Sequence, residues 1–223
     1  MDMKIKELII LKFLVCALVI ISTLSCNKGQ QSSSEITLKI MTFNIRYGTA
    51  PDKENSWENR KDLVIGVIKD FAPEILGVQE ALNFQLDEIK KAFPHYKQAG
   101  AARNDGKDSG EYTAIFYDST RFNLLQQETF WFSDTPTIPG SSSWGNNIPR
   151  ICTWAYFKDQ ISGSEFYIYN NHWDHESQIS RELSAELLIS KIAKRNNTKG
   201  SVIVLGDFNA GEDNPAFHNL IIN

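Results

Sequence analysis

An apolar run, Val202-Ile203-Val204-Leu205, leads directly into Gly206-Asp207-Phe208-Asn209. Side chains on a strand alternate with period two, so Asp207 and Asn209 are expected to project the same way from a strand end. An anionic acceptor beside an amide suits holding a hard cation, or a water, against a phosphate. The same four residue types also describe an ordinary turn. Three further β-rich runs end in similar fashion. Leu38–Phe43 ends in Asn44-Ile45-Arg46, Pro73–Val78 in Gln79-Glu80, and Phe166–Tyr169 in Asn170-Asn171-His172. Strand capping explains any one of these. Four runs that each finish in Asn, Glu, His or Asp, the types that ligate Mg2+ or handle protons, point to a shared chemical rim.

Positioning such a rim takes alternating strands and helices. Trp57 to Phe71 carries apolar residues at 57, 64, 67, 68 and 71, a helical stripe with Ser56 at its N-cap and Pro73 behind it. Leu82 to Phe93 repeats the pattern through Leu82, Leu86, Ile89 and Phe93. Tyr112–Tyr117 and Phe122–Leu125 read as strands joined by Asp118-Ser119-Thr120, and Thr135 to Asn147 as a long surface loop. Arg150–Phe157 and Glu165–Tyr169 form a hairpin across Ser162-Gly163-Ser164. Ile179 to Ile192 is helical, and Asn214-Pro215 opens a last short helix with cap and first residue in the preferred order. Short turns mixed with helical crossovers predict a mixed sheet or two packed sheets in one domain.

The chain has 223 residues, enough for a sizeable core. Lys4, Lys6 and Lys12 precede the apolar run Phe13 to Leu24, and Ser25-Cys26 follow: a secretory signal too short to span a bilayer, which takes about 20 residues. A cysteine at that position resembles a bacterial lipoprotein signal with Cys26 as the lipidated residue, although Thr23 stands where leucine is preferred. Residues 1–26 are therefore expected to be the signal segment and 27–36, rich in Gln and Ser, a flexible tether. The expected location is the bacterial cell envelope, with the membrane reached through the lipid anchor, or plain secretion. Formal net charge is −4. An acidic chain lacks the broad positive field of nonspecific nucleic-acid binders, although a local cluster or an ion would supply attraction. With Cys16 in the signal and Cys26 lipidated, Cys152 stands alone, so no internal disulfide framework forms, and its apolar neighbours mark it as a buried strand residue.

Met41-Thr42-Phe43-Asn44-Ile45-Arg46, Gln79-Glu80, Gly110-Glu111-Tyr112, Asn171-His172-Trp173-Asp174-His175 and Gly206-Asp207-Phe208-Asn209, in this order, resemble the endonuclease/exonuclease/phosphatase superfamily from about residue 37 to the end. The resemblance implies an α+β fold, a four-layer α/β/β/α sandwich of two packed mixed sheets. It also implies Mg2+-dependent phosphoester hydrolysis, with Mn2+ as the alternative ion. Carried over residue by residue, Glu80 resembles the principal metal ligand with Asn44 beside it, and Asp207 the acid that aligns the attacking water. Asn209 resembles the amide on a phosphate oxygen, and His172 a donor to the phosphate. Glu111 resembles an acid that orients a histidine. Arg150 and Asn171 fall among substrate contacts, and His175 is a structural neighbour. The substrate class stays open among nucleic acid, a phospholipid headgroup and a sugar or inositol phosphate.

The superfamily usually continues through further strands to an aspartate and a closing Asp-His pair, whereas this chain stops at Leu220-Ile221-Ile222-Asn223. The expectation is thus a member over 37–223 with its last strands missing. The alternative expectation is a catalytically inactive surface lipoprotein with a binding role or none.

Overall fold

Alternation within the strands assigns the layers. The computed structural model describes residues 37–222, so the expected signal segment, the tether and lipidation at Cys26 lie outside the described residues. One sheet holds β1 (Ile40–Asn44), β2 (Ile75–Ala81), β3 (Tyr96–Ala99) and β4 (Tyr112–Asp118) in the order β1-β2-β4-β3. The other holds β5 (Phe122–Trp131), β6 (Ile151–Asp159), β7 (Glu165–His172) and β8 (Ser201–Asp207) in chain order. Two pairs, β1 with β2 and β7 with β8, are parallel, and the rest are antiparallel. Four helices complete the fold: α1 (Trp57–Phe71), α2 (Asn83–Ala92), α3 (Gln178–Ala193) and α4 (Pro215–Ile222).

Leu76 and Val78 of β2 and Ala114 and Phe116 of β4 face Val64 and Ile68 of α1 and Leu86 and Ile89 of α2. Their alternates, Ile75, Ile115 and Tyr117, turn the other way and meet Phe157, Phe166 and Ile168 between the sheets. Tyr167 and Tyr169, out of phase with Phe166 and Ile168, pack under Ala185 and Leu188 of α3 and Ala216 of α4. Three apolar layers separate four layers of structure, the expected α/β/β/α sandwich. Each fully buried Leu, Ile or Phe contributes about 1.5–3 kcal/mol before entropy is subtracted. Cys152 is fully buried in the outermost of these layers, as expected, and burial pushes its thiol well up.

Local signals operate as read, with exceptions. Asn214 caps α4 by accepting from the Ala216 N–H at 3.0 Å. Ser56 occupies the N-cap of α1 without a side-chain bond, and α1 ends at Ala72 in a left-handed conformation. β5 runs well past its predicted end at Leu125 because its solvent-facing polar residues still pair with β6. β3, Tyr-Lys-Gln-Ala, was not anticipated, since four residues carry too little alternation. At the far edge, β8 pairs with β7 alone among the described strands. A groove of about 510 Å³ beside it is lined by Ile189 and Ile192 of α3, Val202 and Val204, Phe208, and Phe217 and Leu220 of α4.

Candidate active site

The two parallel pairs end side by side across the sandwich. Asn44 closes β1 opposite Gln79 of β2, and His172 closes β7 opposite Asp207 of β8. Asn44 and Glu80 therefore come from one sheet, and His172 and Asp207 from the other. The rim inferred from the four run endings exists, and it is built half from each sheet.

Glu80 reaches the rim through a bulge. The β2–β4 register runs Val78↔Ala114 and then Ala81↔Tyr112, so Gln79 and Glu80 face the single residue Thr113, and Glu80 sits at φ 60°. Left-handed backbone costs a residue with a Cβ about 1–2 kcal/mol. Buried polar groups at this end of the sandwich hold the irregularity in place. The Asn170 amide, wholly buried, crosses between the sheets to donate to Val78 O at 3.0 Å and Ala114 O at 2.9 Å, the carbonyls beside the bulge. Its Oδ1 accepts from Gln79 Nε2 at 2.6 Å, and Gln79 also donates to Thr42 Oγ1. Gly206 at the end of β8 is required: its φ is +140°, and a Cβ there would lie 2.2 Å from Asn171 O.

At the centre, Asn44 Nδ2 donates to Glu80 Oε1 and to Asp207 Oδ2, both at 2.8 Å. Asn44 Oδ1 accepts from the Arg46 N–H at 2.9 Å; a backbone N–H only donates, so the carboxamide orientation is set. Asn44, expected as a metal ligand, orients both carboxylates through its amide, while its oxygen accepts from the backbone and keeps a second lone pair. The Tyr47 N–H holds Glu80 Oε2 at 2.9 Å, and the Asn209 N–H holds Asp207 Oδ1 at 3.0 Å. The loop that supplies Arg46 and Tyr47 is fixed from the helices. Arg60 of α1 donates to Ile45 O and Arg46 O, and Gln85 of α2 donates to Arg46 O at 3.0 Å.

Cations face the carboxylates. Arg150, 3% exposed, donates from Nε to Asp174 Oδ2 at 3.2 Å, from NH1 to His172 Nε2 at 3.1 Å and from NH2 to His175 Nδ1 at 2.6 Å. A guanidinium cannot accept, so both of those ring nitrogens are unprotonated. Burial first, and then the Arg150 charge, push the His172 imidazole down to about 4. His172 is thus neutral at pH 7, with its proton on Nδ1, 4.0 Å from Glu111 Oε2. Of the two nitrogens of His172, the residue expected to donate to a phosphate, Nε2 lies 3.9 Å from Asp207 and accepts from Arg150 in this arrangement. Glu111, expected to orient that histidine, pairs at 2.7 Å with Arg103 and lies beyond hydrogen-bond reach of the ring. Burial raises the Glu111 carboxyl above the ordinary range, and Arg103 opposes the shift.

Arg46, Tyr47, Thr49, Pro51, Glu80, Glu111, Arg150, His172, His175 and Asn209 line one cavity of about 450 Å³, and Asn44, Asp207 and Asn209 line an adjoining one. Asn209 shares the site with Asp207, but not through strand alternation. β8 stops at Asp207, Asn209 adopts φ 46°, and its amide donates to Trp173 O at 2.9 Å. Asn171, expected as a substrate contact, is wholly buried on the opposite face, where it donates to Leu205 O at 3.1 Å. Period two puts it out of phase with His172, a signal already present in the sequence. Sequence reasoning missed Arg103, Tyr47 and Asn170. The first two sit on loops without periodicity, whereas Asn170 is in phase with His172 and was open to the same reasoning.

The donor set fits a hard divalent ion. One oxygen each of Glu80 and Asp207 and a nitrogen of His172 lie within 4.8 Å of one another. Two carboxylates this close, with a single amide between them, are the arrangement that a small oxygen-seeking cation relieves. The lone pair of His172 Nε2 is already engaged by Arg150, so the carboxylates are the residues that would hold the ion.

Residues 41–223 match the Endonuclease/Exonuclease/phosphatase family. A crystal structure of an endonuclease/exonuclease/phosphatase from Bacteroides vulgatus superposes with TM-score 0.81 at 36% identity, over 85% of this chain and 72% of that one. A mannosyl-6-phosphatase from Bacteroides thetaiotaomicron superposes with TM-score 0.80 at 33% identity, over 83% of this chain and 70% of that one. An uncharacterised protein of Acanthamoeba polyphaga mimivirus is 30% identical over 184 residues, covering 78% of this chain and 68% of its own. The CCR4-Not complex 3'-5'-exoribonuclease subunit Ccr4 of Phaeosphaeria nodorum is 25% identical over 186 residues, or 71% of this chain, which spans only 31% of that protein.

Proposed function

The chain belongs to the endonuclease/exonuclease/phosphatase family, and we propose that it is a phosphoesterase of that family which uses Mg2+, or Mn2+ in its place, to hydrolyse a phosphate ester. The observation that carries this reading is the Asn44 amide bonded at once to Glu80 and Asp207, with Glu80 lining a cavity that it shares with Arg150 and His172. Carboxylates and a guanidinium about one cavity suit a phosphoryl group that meets both an ion and an arginine. When bound between Glu80 and Asp207, the ion would neutralise phosphate charge and make water a better nucleophile.

The chain's own groups supply the rest. Asp207 keeps acceptor capacity beyond its bonds to Asn44 and Asn209, so it can orient a water for in-line attack. Arg150 has five N–H donors and commits three, leaving one on each terminal nitrogen for the phosphoryl oxygens as charge builds. Two of its three anchors, His172 and Asp174, are themselves buried, so it is oriented before substrate arrives.

Similarity to the mannosyl-6-phosphatase favours a phosphomonoester of a sugar-like alcohol, and the net charge of −4 agrees with a small substrate better than with a polyanion. A nuclease reading has the Ccr4 similarity in its favour. The basic start, short apolar run and Cys26 support a lipid-anchored envelope location, to be tested by labelled fatty-acid incorporation into the wild type and Cys26→Ala. A phosphoester panel (a hexose 6-phosphate, an inositol phosphate, sphingomyelin, DNA and bis-p-nitrophenyl phosphate) run with Mg2+ and with chelator tests the function. Chelator-sensitive phosphate release from the hexose phosphate is expected. Turnover indifferent to chelator sinks the metal reading, and turnover confined to DNA sinks the sugar-phosphate one in favour of the nuclease.

A further inference from the structure

His175 has no part in the machinery derived above except as an anchor for Arg150, yet it lines the same cavity as Glu80, Arg150 and His172. Its ring is held in one tautomer. Nδ1 faces Arg150 NH2 at 2.6 Å and must carry the lone pair, so the proton is on Nε2. Arg150 cannot swing away to release it, because Nε is bound to Asp174 and NH1 to His172. Asp174 is 1% exposed and is itself pinned by the N–H groups of Glu176 at 3.0 Å and Ser177 at 2.7 Å. The acceptor recorded near Nε2 is Glu176 Oε1 at 3.7 Å, beyond hydrogen-bond reach. The half-exposed imidazole therefore presents its Nε2–H, fixed in direction, to the cavity.

The cavity lining mixes two chemistries. Glu80, Arg150 and His172 match a phosphoryl group, and Tyr47, Thr49, Ala50 and Pro51 add uncharged surface of mixed polarity. A volume of about 450 Å³ lies in the lower part of the range for small-molecule sites and suits one sugar-sized unit. A directional N–H donor beside these groups is suited to an alcohol oxygen, and it gains nothing from an aryl group that bears no hydroxyl.

We propose that His175 is a specificity-determining residue whose Nε2–H reads a hydroxyl oxygen on the alcohol half of a polyol phosphate, with Arg150 acting as the clamp that fixes its tautomer. The proposal rests on the phosphoesterase reading. Arg150, Asp174 and His175 then form a single device that couples phosphoryl binding to recognition of the alcohol.

The test compares the wild type, His175→Ala and His175→Gln on a hexose 6-phosphate and on p-nitrophenyl phosphate, with Mg2+ present. Glutamine can accept from Arg150 through its oxygen and still offer an N–H outward. His175→Ala is expected to lower the ratio of kcat/KM for the hexose phosphate over the aryl phosphate about tenfold, the loss of one hydrogen bond, chiefly through KM. His175→Gln is expected to recover most of that ratio. An unchanged ratio in the alanine variant, whether both activities fall together or neither falls, overturns the proposal. If the wild type turns over neither probe, the phosphoesterase reading fails on its own, and His175 is judged by calorimetry with unhydrolysed hexose 6-phosphate against inorganic phosphate. Preference of the wild type for the sugar phosphate, lost in His175→Ala, supports the proposal; equal affinity of the wild type for both ligands, or a preference retained in the variant, overturns it.

Discussion

Asn44 spends its two N–H groups on two carboxylates that would otherwise repel, and its oxygen is taken by the chain turning out of β1. That division of labour predicts different consequences for neighbouring side chains. Glu80→Gln keeps the shape and removes one of two charges facing the ion site, so Mg2+ affinity and turnover are expected to fall together, affinity by at least about tenfold. His172→Ala is expected to cost turnover about 100-fold while Mg2+ affinity stays near that of the wild type, since the ring's lone pair serves Arg150. Calorimetric Mg2+ titration beside steady-state rates separates the two, and a matching loss of ion affinity in His172→Ala would make the imidazole a ligand. The types and order of these residues were legible in the sequence. The tautomer of His172 was not, because it depends on a guanidinium delivered by Arg150, just ahead of β6.

Among the strands, the decisive local event is the β2 bulge, which lifts Glu80 to the rim and leaves Val78 O and Ala114 O to a side chain from the other sheet. Asn170→Leu removes both donors in a dry environment, at about 1–3 kcal/mol for each carbonyl left unpaired. A loss of roughly 2–5 kcal/mol in urea unfolding is expected, and a change below about 1 kcal/mol would mean the bulge is held by other means. At the opposite end of the sandwich, Arg121 bridges Asp159, the last residue of β6, and Glu74, before β2. Burial alone would raise the Asp159 carboxyl, but bonds from Arg121, the Ile161 N–H and the Ser162 hydroxyl outweigh it and hold it below the usual range. A depressed folded-state value contributes stability that is complete above the unfolded value near 4 and fades as pH drops through the folded one. Asp159→Asn is therefore expected to flatten the acid limb of Tm against pH relative to the wild type. The β6–β7 hairpin and α1 were readable from periodicity and punctuation. Bulges and inter-sheet bridges were not, since they arise from contacts some 40 to 90 residues apart.

At the scale of the molecule, short turns and helical crossovers left a mixed sheet or two packed sheets open, and the four layers followed from the family resemblance; the partnering of the outer strands rests on contacts distant in the chain. β8 carries Val202, Ile203 and Val204, all only half-buried, beside the apolar groove under α3 and α4. An apolar edge of this kind favours association, so light scattering is expected to grow with concentration and Val202→Lys to suppress it. Equal scattering from both proteins would acquit the edge. The central four residues are contributed two by each sheet, so neither slab is chemically competent by itself. On the proposed reading, ion affinity is expected to gauge how the slabs are seated: a treatment that loosens their docking while sparing helices should lower it before far-UV circular dichroism registers any change.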